Sequence, residues 1–382
     1  MKLPKSLRGN TLVFGVTSFL TDVSSEMVFP LLPLFIVQAL GAPASVLGLI
    51  EGIAESTSSL LKLASGVYSD KIKKKKGLVI LGYGISTVSK PLFAIATAWP
   101  QVLAFRFADR AGKGIRTSPR DALIAQSTNK KIRGEAFGFH RMMDTLGAVL
   151  GPFLAFAILF LSPENYRLVF ALSAIPAALA VIVLWAFVKE KRSKQKPFET
   201  TSLKKLPKKF KRFLFTTGLF ALANFSFAFL LLRASELGVP GELIPIVYLF
   251  FNLVYAATTV PAGKASDKWG RRNVIAGGYL LFAVVCALLA SSSNAWVIIP
   301  AFALYGVFMG TADTVQRAAA SELAPSKLRG SALGAFHGAV GIAALPASVI
   351  AGGLWQFAGA PAAFGVAAVI AVASAIMMKW FK

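Results

Sequence analysis

The sequence predicts an all-α membrane protein whose twelve transmembrane helices form two six-helix bundles. Hydrophobic residues make up 55% of the 382 residues and charged residues only 15%, and the mean hydropathy is +0.65, far above that of soluble proteins. Apolar segments long enough to cross a bilayer recur along the whole chain. Motifs of the first half also return in the second, which indicates that a six-helix unit was duplicated.

Each predicted transmembrane helix is a mainly apolar segment of about twenty residues, the length that crosses about 30 Å of hydrocarbon. The twelve segments lie at 11–38, 44–68, 77–97, 99–125, 136–161, 166–188, 212–237, 243–265, 274–292, 294–319, 331–356 and 360–381. The first follows Lys2, Lys5 and Arg8, as the apolar core of a signal peptide would, but it contains no A-x-A cleavage site. We therefore expect this segment to be retained as the first helix.

Positive charge is concentrated in alternate connections between these segments. Clusters of Lys and Arg follow spans 2, 4, 6, 8 and 10: Lys71 with Lys73 to Lys76, Lys130 with Lys131 and Arg133, the run from Lys189 to Arg212, Lys268 with Arg271 and Arg272, and Lys327 with Arg329. The positive-inside rule therefore predicts that both termini are cytoplasmic, in the plasma membrane of a prokaryote. Much of the formal net charge of +24 is then explained by the orientation of the chain in the membrane and by attraction to anionic lipids at the cytoplasmic face of the bilayer.

A long polar stretch, KEKRSKQKPFETTSLKKLPKKFKR, lies at the midpoint of the chain. It predicts three parts: an N-terminal six-helix bundle at 1–188, a cytoplasmic linker at 189–211 and a C-terminal six-helix bundle at 212–382. Its lysine clusters resemble a nucleic-acid patch. Beside a membrane span we interpret them as a solvated cytoplasmic loop, and we expect no nucleic-acid partner.

Two motifs repeat between the halves. GVYSDKIKKKK, which begins at Gly66, returns as GKASDKWGRR, which begins at Gly263, and KKIRGEAFGF around Arg133 returns as SKLRGSALGAF around Arg329. At these residues the chain resembles the major facilitator superfamily over essentially its whole length. The second copy has the family's loop signature G-x-x-x-D-[RK]-x-G-[RK]-[RK] in full, whereas the first has Lys73 in place of the second glycine.

The resemblance implies two bundles that rock about a central cavity, with a conformational latch at the two loops. The latch residues are predicted to be Gly66, Asp70, Lys71, Gly263, Asp267, Lys268, Arg271 and Arg272. Glycine allows helices to approach closely, and the aspartates can accept from backbone donors or pair with arginine. The alternative is that both aspartates only cap tight turns.

Span 4 carries an unusual charge pattern, FRFADRAGKGIRTSPRDALIAQ at 105–126. Its GKG does not form a phosphate loop, because G-x-x-x-x-G-K-[ST] would need glycine at Phe107 and a hydroxyl residue at Gly114. Reading of DNA would need an exposed basic helix on a soluble domain. A cation at the bilayer centre costs about 2.5–3.5 kcal/mol, so the cations of this helix must be paired or hydrated.

Carboxylates on other spans of the same half are the predicted partners: Asp22 and Glu26 on span 1, Glu51 and Glu55 on span 2, and Asp144 on span 5. The first two pairs are spaced i, i+4, which places both carboxylates on one helical face. Counted from the membrane edges, charges of opposite sign lie at matched depths: Arg106 and Lys90 with Glu51, Arg110 with Glu26, and Arg116 with Asp144. Intramembrane charges mark substrate or proton paths by default, although such a network can also be purely structural.

We predict that protons are coupled through Asp22, Glu26, Asp109, Asp144 and Arg106. The resemblance links Arg106 to the span-4 arginine associated with proton coupling, but Arg110 stands where that motif prefers glycine, so either arginine can hold the role. The predicted substrate-binding residues are Arg110, Lys113, Arg116, Glu51, Glu55, Asn224, Asn252, Tyr255 and Gln316. We interpret Phe-rich stretches such as FALANFSFAF as packing or lipid-facing.

The direction of transport is suggested by GAVLGP in span 5, Gly147 to Pro152. It resembles the start of the family's exporter motif g-x-x-x-G-P-x-x-g-G, but Ala155 and Phe156 stand where glycines are expected. Export is therefore only slightly favoured by this motif.

The sequence as a whole predicts a proton-coupled secondary active transporter of a small organic solute that works by alternating access, with export by solute/proton antiport slightly favoured. The alternatives are a proton-coupled importer of an organic anion or metal chelate, a membrane-embedded enzyme that uses carboxylates and His140, and a transporter-like sensor. We expect no enzymatic activity and no cofactor. We also expect no metal site, since the single Cys286 lies in an apolar run. The protein is predicted to act as a monomer.

Overall fold

The computed structural model describes residues 9–72, 74–129, 132–190, 206–325 and 328–380, apart from the side chains of Asp70, Lys71 and Trp380. Throughout these ranges the regular structure is helical and no residue is in a strand. The α-helices are α1 Asn10–Val28, α2 Leu32–Leu34, α3 Ala44–Lys71, α4 Lys76–Leu92, α5 Trp99–Ser127, α6 Arg133–Leu161, α7 Tyr166–Leu172, α8 Ala174–Phe187, α9 Lys208–Ala223, α10 Ala228–Glu236, α11 Ile244–Trp269, α12 Arg271–Ser291, α13 Ile298–Glu322 and α14 Arg329–Trp380.

Nine helical segments of the described chain are long and apolar enough to cross a membrane. The predicted spans 2 and 4, which are α3 and α5, do not meet this criterion, since their charged residues lower the hydropathy. The predicted spans 11 and 12 run together as α14, in which Gly359 alone has non-helical dihedrals, with φ 79° and ψ 167°. An all-helical membrane fold is thus confirmed, while the count of twelve stays a prediction.

Two predicted spans are interrupted inside the membrane. Span 1 leaves α-helical geometry after Val28, where Pro30 and Pro33 begin short turns, because proline has no backbone donor. Span 7 is broken at 224–227, between α9 and α10. This break contains neither glycine nor proline, but Asn224 ends α9 and the Ser226 hydroxyl accepts from the Ala228 N–H at 3.3 Å, since Asn and Ser compete locally with helix hydrogen bonds.

The chain divides into two compact units. The first comprises Met1–Ile36 and Thr57–Phe198, and the second Val37–Ser56 and Glu199–Lys382. In the first unit α1 packs against α6 and α8, and α4 packs against α5. A hydrophobic core that includes Phe14, Tyr83 and Leu184 lies among these helices. The sequence-predicted boundaries at 188 and 212 stay a prediction.

The second unit is built from α9 to α14 together with the first part of α3. Its main packing pairs are α12 with α14, α11 with α13, and α9 with α14. Gly52 lies close to the backbone of α14, because a Cβ there would be 3.0 Å from the Leu345 Cα. Such close approach explains why the segment 37–56 groups with this unit rather than with the rest of α3.

Candidate functional site

Helix α5 carries a line of ionisable side chains at helical spacing. Arg106, Asp109 and Arg116 are buried, with relative exposures of 3%, 7% and 5%, whereas Lys113 is exposed. Asp109 lies between two arginines, since its Oδ2 is 3.8 Å from Arg106 Nη1 and 4.0 Å from Arg110 Nε. The helix therefore supplies part of its own charge compensation.

Close approach of α4 to α5 holds Arg116 in place. A Cβ on Gly112 would be 2.5 Å from the Gly82 carbonyl oxygen, so the two helices touch where neither has a side chain. Arg116 Nη1 donates to Ser86 Oγ at 2.6 Å, and its guanidinium lies 4.4 Å from the Tyr83 ring centroid. Cation–π contact and a hydrogen bond together offset part of the cost of burying this charge.

Lys90 on α4 is a member of this group that the sequence reasoning did not include among the site residues. It is only 2% exposed, and its Nζ donates to the Thr21 carbonyl at 3.3 Å. The ammonium interacts electrostatically with Asp109 and Asp22. The sequence did indicate Lys90, because a lysine inside an apolar span is rare unless it is paired or functional.

The exporter-like motif of α6 packs against the backbone of α1 and the Cβ atoms of its two acidic residues. A Cβ on Gly147 would be 2.9 Å from Asp22 Cβ, and one on Gly151 would be 2.8 Å from Glu26 Cβ. The i, i+4 glycines thus face the i, i+4 carboxylates. Only a residue without a side chain fits at either position, so the motif fixes how closely α6 approaches α1.

Asp144 of α6 joins the same region. It accepts from Ser18 Oγ on α1, and its Oδ2 lies 3.5 Å from His140 Nδ1. Asp22 interacts electrostatically with Asp144 and with the cation of Arg116. The first unit therefore brings together the predicted charges of α1, α5 and α6. We call Asp22, Glu26, Lys90, Arg106, Asp109, Arg110, Lys113, Arg116 and Asp144 the charged cluster.

The predicted partners on span 2 have a different position. Glu51 and Glu55 lie in the part of α3 that belongs to the second unit. Glu51 is 1% exposed, and its Oε2 accepts from Ser226 Oγ at 3.1 Å. Ser226 is in the break of span 7, and its backbone N–H donates to Ser348 Oγ at 3.3 Å. Tertiary hydrogen bonds therefore add to the local ones, such as that from the Ala228 N–H to Ser226 Oγ, where the helix is broken.

The other predicted binding residues of the second unit fall into separate groups. Asn224 caps α9, and its buried Oδ1 has no hydrogen-bond partner among the described residues. Tyr255 Oη donates to Asp313 Oδ2 at 2.9 Å, and Gln316 Nε2 donates to the Tyr279 hydroxyl at 3.2 Å. Asn252 is nearly buried, at 9% exposure.

Asp313 was not predicted as a site residue, although an acid in an apolar span is itself a signal. It accepts the Tyr255 hydroxyl, and Arg317 Nη2 lies 2.5 Å from its Oδ1. A polar group of α11 and α13 is thus present in the second unit as well, but with a single carboxylate.

The second loop motif forms a set of ion pairs. Gly270, at φ 82°, separates α11 from α12, a conformation that favours glycine. Arg271 Nη2 lies 3.4 Å from Asp267 Oδ1, and Arg271 also donates to both carboxylate oxygens of Glu322. Lys268 and Arg272 are exposed.

In the first loop motif, Gly66 lies close to α5, where a Cβ would be 3.3 Å from Ser118 Oγ. The side chains of Asp70 and Lys71, and all of Lys73, lie outside the described part of the chain. The latch role of both loops stays a prediction.

Comparison with known proteins identifies the family. The model described as the Major Facilitator Superfamily matches residues 14–232 and 213–382. The chain belongs to this superfamily. It is a multi-pass membrane transporter and not an enzyme, and the two successive matches agree with the internal repeat.

Relatives and solved structures agree with this membership. The chain is 38% identical to the uncharacterized MFS-type transporter MJ1317 of Methanocaldococcus jannaschii, over 92% of this chain and 90% of the relative. It is 25% identical to the fosmidomycin resistance protein of Escherichia coli K12, over 88% and 84% of the two chains. The crystal structure of the nucleoside transporter NupG superposes with a TM-score of 0.78 at 14% identity, covering 98% of this chain and 99% of that one. At this identity the NupG match concerns the fold alone.

Proposed function

We propose that this protein exports a small organic solute in exchange for protons by alternating access. One observation carries the proposal: the paired glycines of α6 press against Asp22 and Glu26, beside Asp144 and the cations of α5. Acidic and basic groups are therefore held together inside a membrane-spanning unit. The name of the Escherichia coli relative, a fosmidomycin resistance protein, supports export of an organic solute.

Proton coupling is supported by the carboxylates of the charged cluster. Asp22 interacts electrostatically with two other acids, Glu26 and Asp144. Ionised carboxylates that lie near each other repel, and a proton bound to one of them relieves that repulsion. A positively charged group of a solute relieves it equally well. Solute and proton then exclude each other at the same carboxylates, which is the coupling that antiport requires.

The substrate class follows from the cations. Lys113 is exposed and Arg110 is partly buried on the same helix, and we place the anionic group of the solute beside these two cations. A zwitterion would place its negative end at these cations and its positive end at Asp22 and Glu26. We therefore propose a small zwitterionic solute as the preferred substrate.

Import of an organic anion or metal chelate is the second candidate, and the same cluster supports it. An anion bound by the α5 cations would withdraw positive charge from the carboxylates, which would then bind protons more readily. Solute and proton would bind together, as in symport. The two candidates thus predict opposite signs of coupling.

The test is flux in proteoliposomes that contain the purified full-length protein. Anionic, zwitterionic and cationic small solutes are loaded, with fosmidomycin as the first anionic probe, and a pH gradient is imposed in either direction. Antiport predicts faster efflux when protons flow opposite to the solute, whatever the orientation of the protein. Faster efflux with a parallel proton gradient would establish symport, and indifference to the gradient would contradict proton coupling altogether.

The proposal places the protein in the cytoplasmic membrane of a prokaryote as a monomer, with both termini in the cytoplasm. The alternation of basic connections supports this orientation. Cysteine labelling from outside the cell, with single cysteines at exposed positions such as Glu164 and Glu135 in a Cys286→Ser background, checks it. Only the Glu164 position should react with an impermeant reagent.

A further inference from the structure

His140 of α6 lies next to the charged cluster but has no role in the function proposed above. It is 4% exposed and lies about two helical turns after Arg133, where α6 begins. On the proposed topology this is the cytoplasmic end of α6. Along the helix axis, the ring therefore lies between Asp144 of the charged cluster and the cytoplasm.

The two ring nitrogens of His140 have different surroundings. Nδ1 lies 3.5 Å from Asp144 Oδ2, and a small rotation of either side chain brings the two atoms to hydrogen-bond distance. Nε2 is buried and has no hydrogen-bond partner among the described residues. A buried polar atom without a partner costs free energy, so a histidine that only supports the fold usually has both nitrogens bonded. Nε2 is instead a position at which a proton can bind or leave.

Ionisable groups of two helices surround the ring. They are Arg141 and Asp144 of α6 and Arg120 and Asp121 of α5, all of which interact electrostatically with His140. Arg120 is itself paired, since its Nη2 lies 2.8 Å from Asp121 Oδ1. When the ring gains a second proton, carboxylates on both helices therefore stabilise its positive charge.

The two carboxylates lie on opposite sides of His140 in depth. Asp144 interacts electrostatically with Asp22 of α1, a predicted coupling residue. The Asp121 side chain is 40% exposed and lies less than two turns before α5 ends at Ser127. On the proposed topology α5 ends at the cytoplasmic side. Asp121 thus connects the ring with water, and Asp144 connects it with the charged cluster.

We propose that His140 transfers protons between Asp144 and the cytoplasm, an inference that rests on the proton coupling proposed above. A proton from Asp144 Oδ2 binds Nδ1, and the proton on Nε2 then leaves toward Asp121 and water. One N–H bond forms and the other breaks, so the charge of the ring is the same before and after. The reverse sequence brings a proton from the cytoplasm to Asp144. Imidazole suits this role because it binds and releases protons near neutral pH.

The test compares His140→Gln with the unmodified protein in proteoliposomes. Glutamine keeps an amide donor on the side of Asp144 but does not bind and release protons. The probe is labelled fosmidomycin, or the member of the solute panel above that responds more strongly to a pH gradient. The acceleration of flux by the gradient should fall by about tenfold or more, the scale of one proton-transfer group. Exchange of labelled for unlabelled solute without a gradient should change little, because it requires no net movement of protons.

The matched control is His337→Gln. His337 follows Arg329 in the second copy of the repeated motif, as His140 follows Arg133 in the first. Its ring contacts Phe336, with 5.1 Å between the ring centroids. We expect this variant to respond to the gradient like the unmodified protein. An equal loss of the response in both variants would reduce His140 to a structural residue and overturn the proposal.

Failure of this inference can be told apart from failure of the proposed function. If the unmodified protein does not respond to the gradient with any solute of the panel, proton coupling itself is wrong and the inference fails with it. If the unmodified protein and His140→Gln respond equally, His140 transfers no protons while proton coupling stands. Loss of gradient-free exchange in His140→Gln would also contradict proton transfer, because it would indicate damage to solute transport.

A second variant decides if His140→Gln does not fold. His140→Ala leaves a cavity of about the size of the ring, and imidazole in the medium should restore the response to the gradient. Pyrazole is a ring of similar size that does not bind protons near neutral pH, and it should not restore the response. Any other pattern, including equal restoration by both compounds, contradicts the proposal.

Discussion

The two units share a repeat but fill their interiors differently. In the first, the space between α1, α4, α5 and α6 contains buried charges such as Lys90 and Arg116, both 5% exposed or less. In the second, aromatic rings fill the corresponding interior: the Phe227 ring centroid lies 4.5 Å from that of Phe251, 5.2 Å from Tyr305 and 5.5 Å from Phe302. The first unit thus holds a group of buried charges, whereas the second, which also contains the buried Glu51, holds a cluster of aromatic rings.

This difference suggests a division of labour. The electrostatic energy of a charged interior changes when a proton or an ion binds. The packing energy of an aromatic interior depends mainly on the volume and shape of its side chains. We infer that coupling resides in the first unit and that the aromatic core of the second provides a rigid scaffold. Substitutions of opposite kinds in the two units can break this inference.

The largest effect is expected from Phe302→Ala in the second unit. Phe302 is completely buried, and truncating it leaves a cavity among the rings, which should lower the free energy of unfolding by on the order of 3 kcal/mol. Thermal unfolding in detergent measures this loss. At a temperature where the variant is folded, the dependence of flux on the pH gradient should be unchanged. A changed gradient dependence would show that the aromatic core takes part in coupling.

The next effect is expected from Asp22→Asn in the first unit. The amide cannot bind and release a proton, so the acceleration of flux by a pH gradient should fall by on the order of tenfold or more. Exchange of labelled for unlabelled solute without a gradient should be less affected. Glu135→Gln is the control, since Glu135 is an exposed acid in the first turn of α6. If Asp22→Asn responds to the gradient like the unmodified protein, Asp22 is not the coupling residue.

A smaller effect on stability is expected from Gly151→Ala. The added Cβ would come 2.6 Å from the Val23 carbonyl oxygen, so α6 must move away from α1 at a cost of about 1–3 kcal/mol. Gly138→Ala is the matched control on the same helix, because no atom lies within 4 Å of its Cβ position. Alanine there should be neutral or stabilising by roughly 0.5–1 kcal/mol. Equal unfolding temperatures of the two variants would contradict the close contact of α1 and α6.

The smallest effect is expected from Asp267→Asn in the second loop. The aspartate side chain is 71% exposed, and exposed ion pairs contribute roughly 0–1 kcal/mol to stability. The unfolding temperature should therefore hardly change. If the loop is a latch, the rate of solute exchange should change in spite of this, whereas unchanged exchange would favour the plain turn.

Some neighbours of the candidate site residues could be predicted from the sequence, and others could not. The i, i+4 spacing of Asp22 and Glu26 predicted a shared face, and the structure places the glycines of GAVLGP against that face. Depth counting placed Arg106 opposite Glu51. In the structure Arg106 lies beside Asp109 of its own helix, and Glu51 lies in the second unit. Depth is one coordinate, and it cannot tell which of several helices is the neighbour.

From the amino-acid sequence it was possible to predict a helical membrane protein with an internal repeat, the residues that carry charge into the bilayer, and the basic connections. These properties follow from local hydropathy, length and spacing, which need no knowledge of packing. Which charges meet, and how Ser226 is bound where span 7 breaks, became known from the packing of the helices. The reason is that hydrogen bonds and ion pairs depend on separations of about 3–4 Å between different helices, and the order of residues along one chain does not contain those distances.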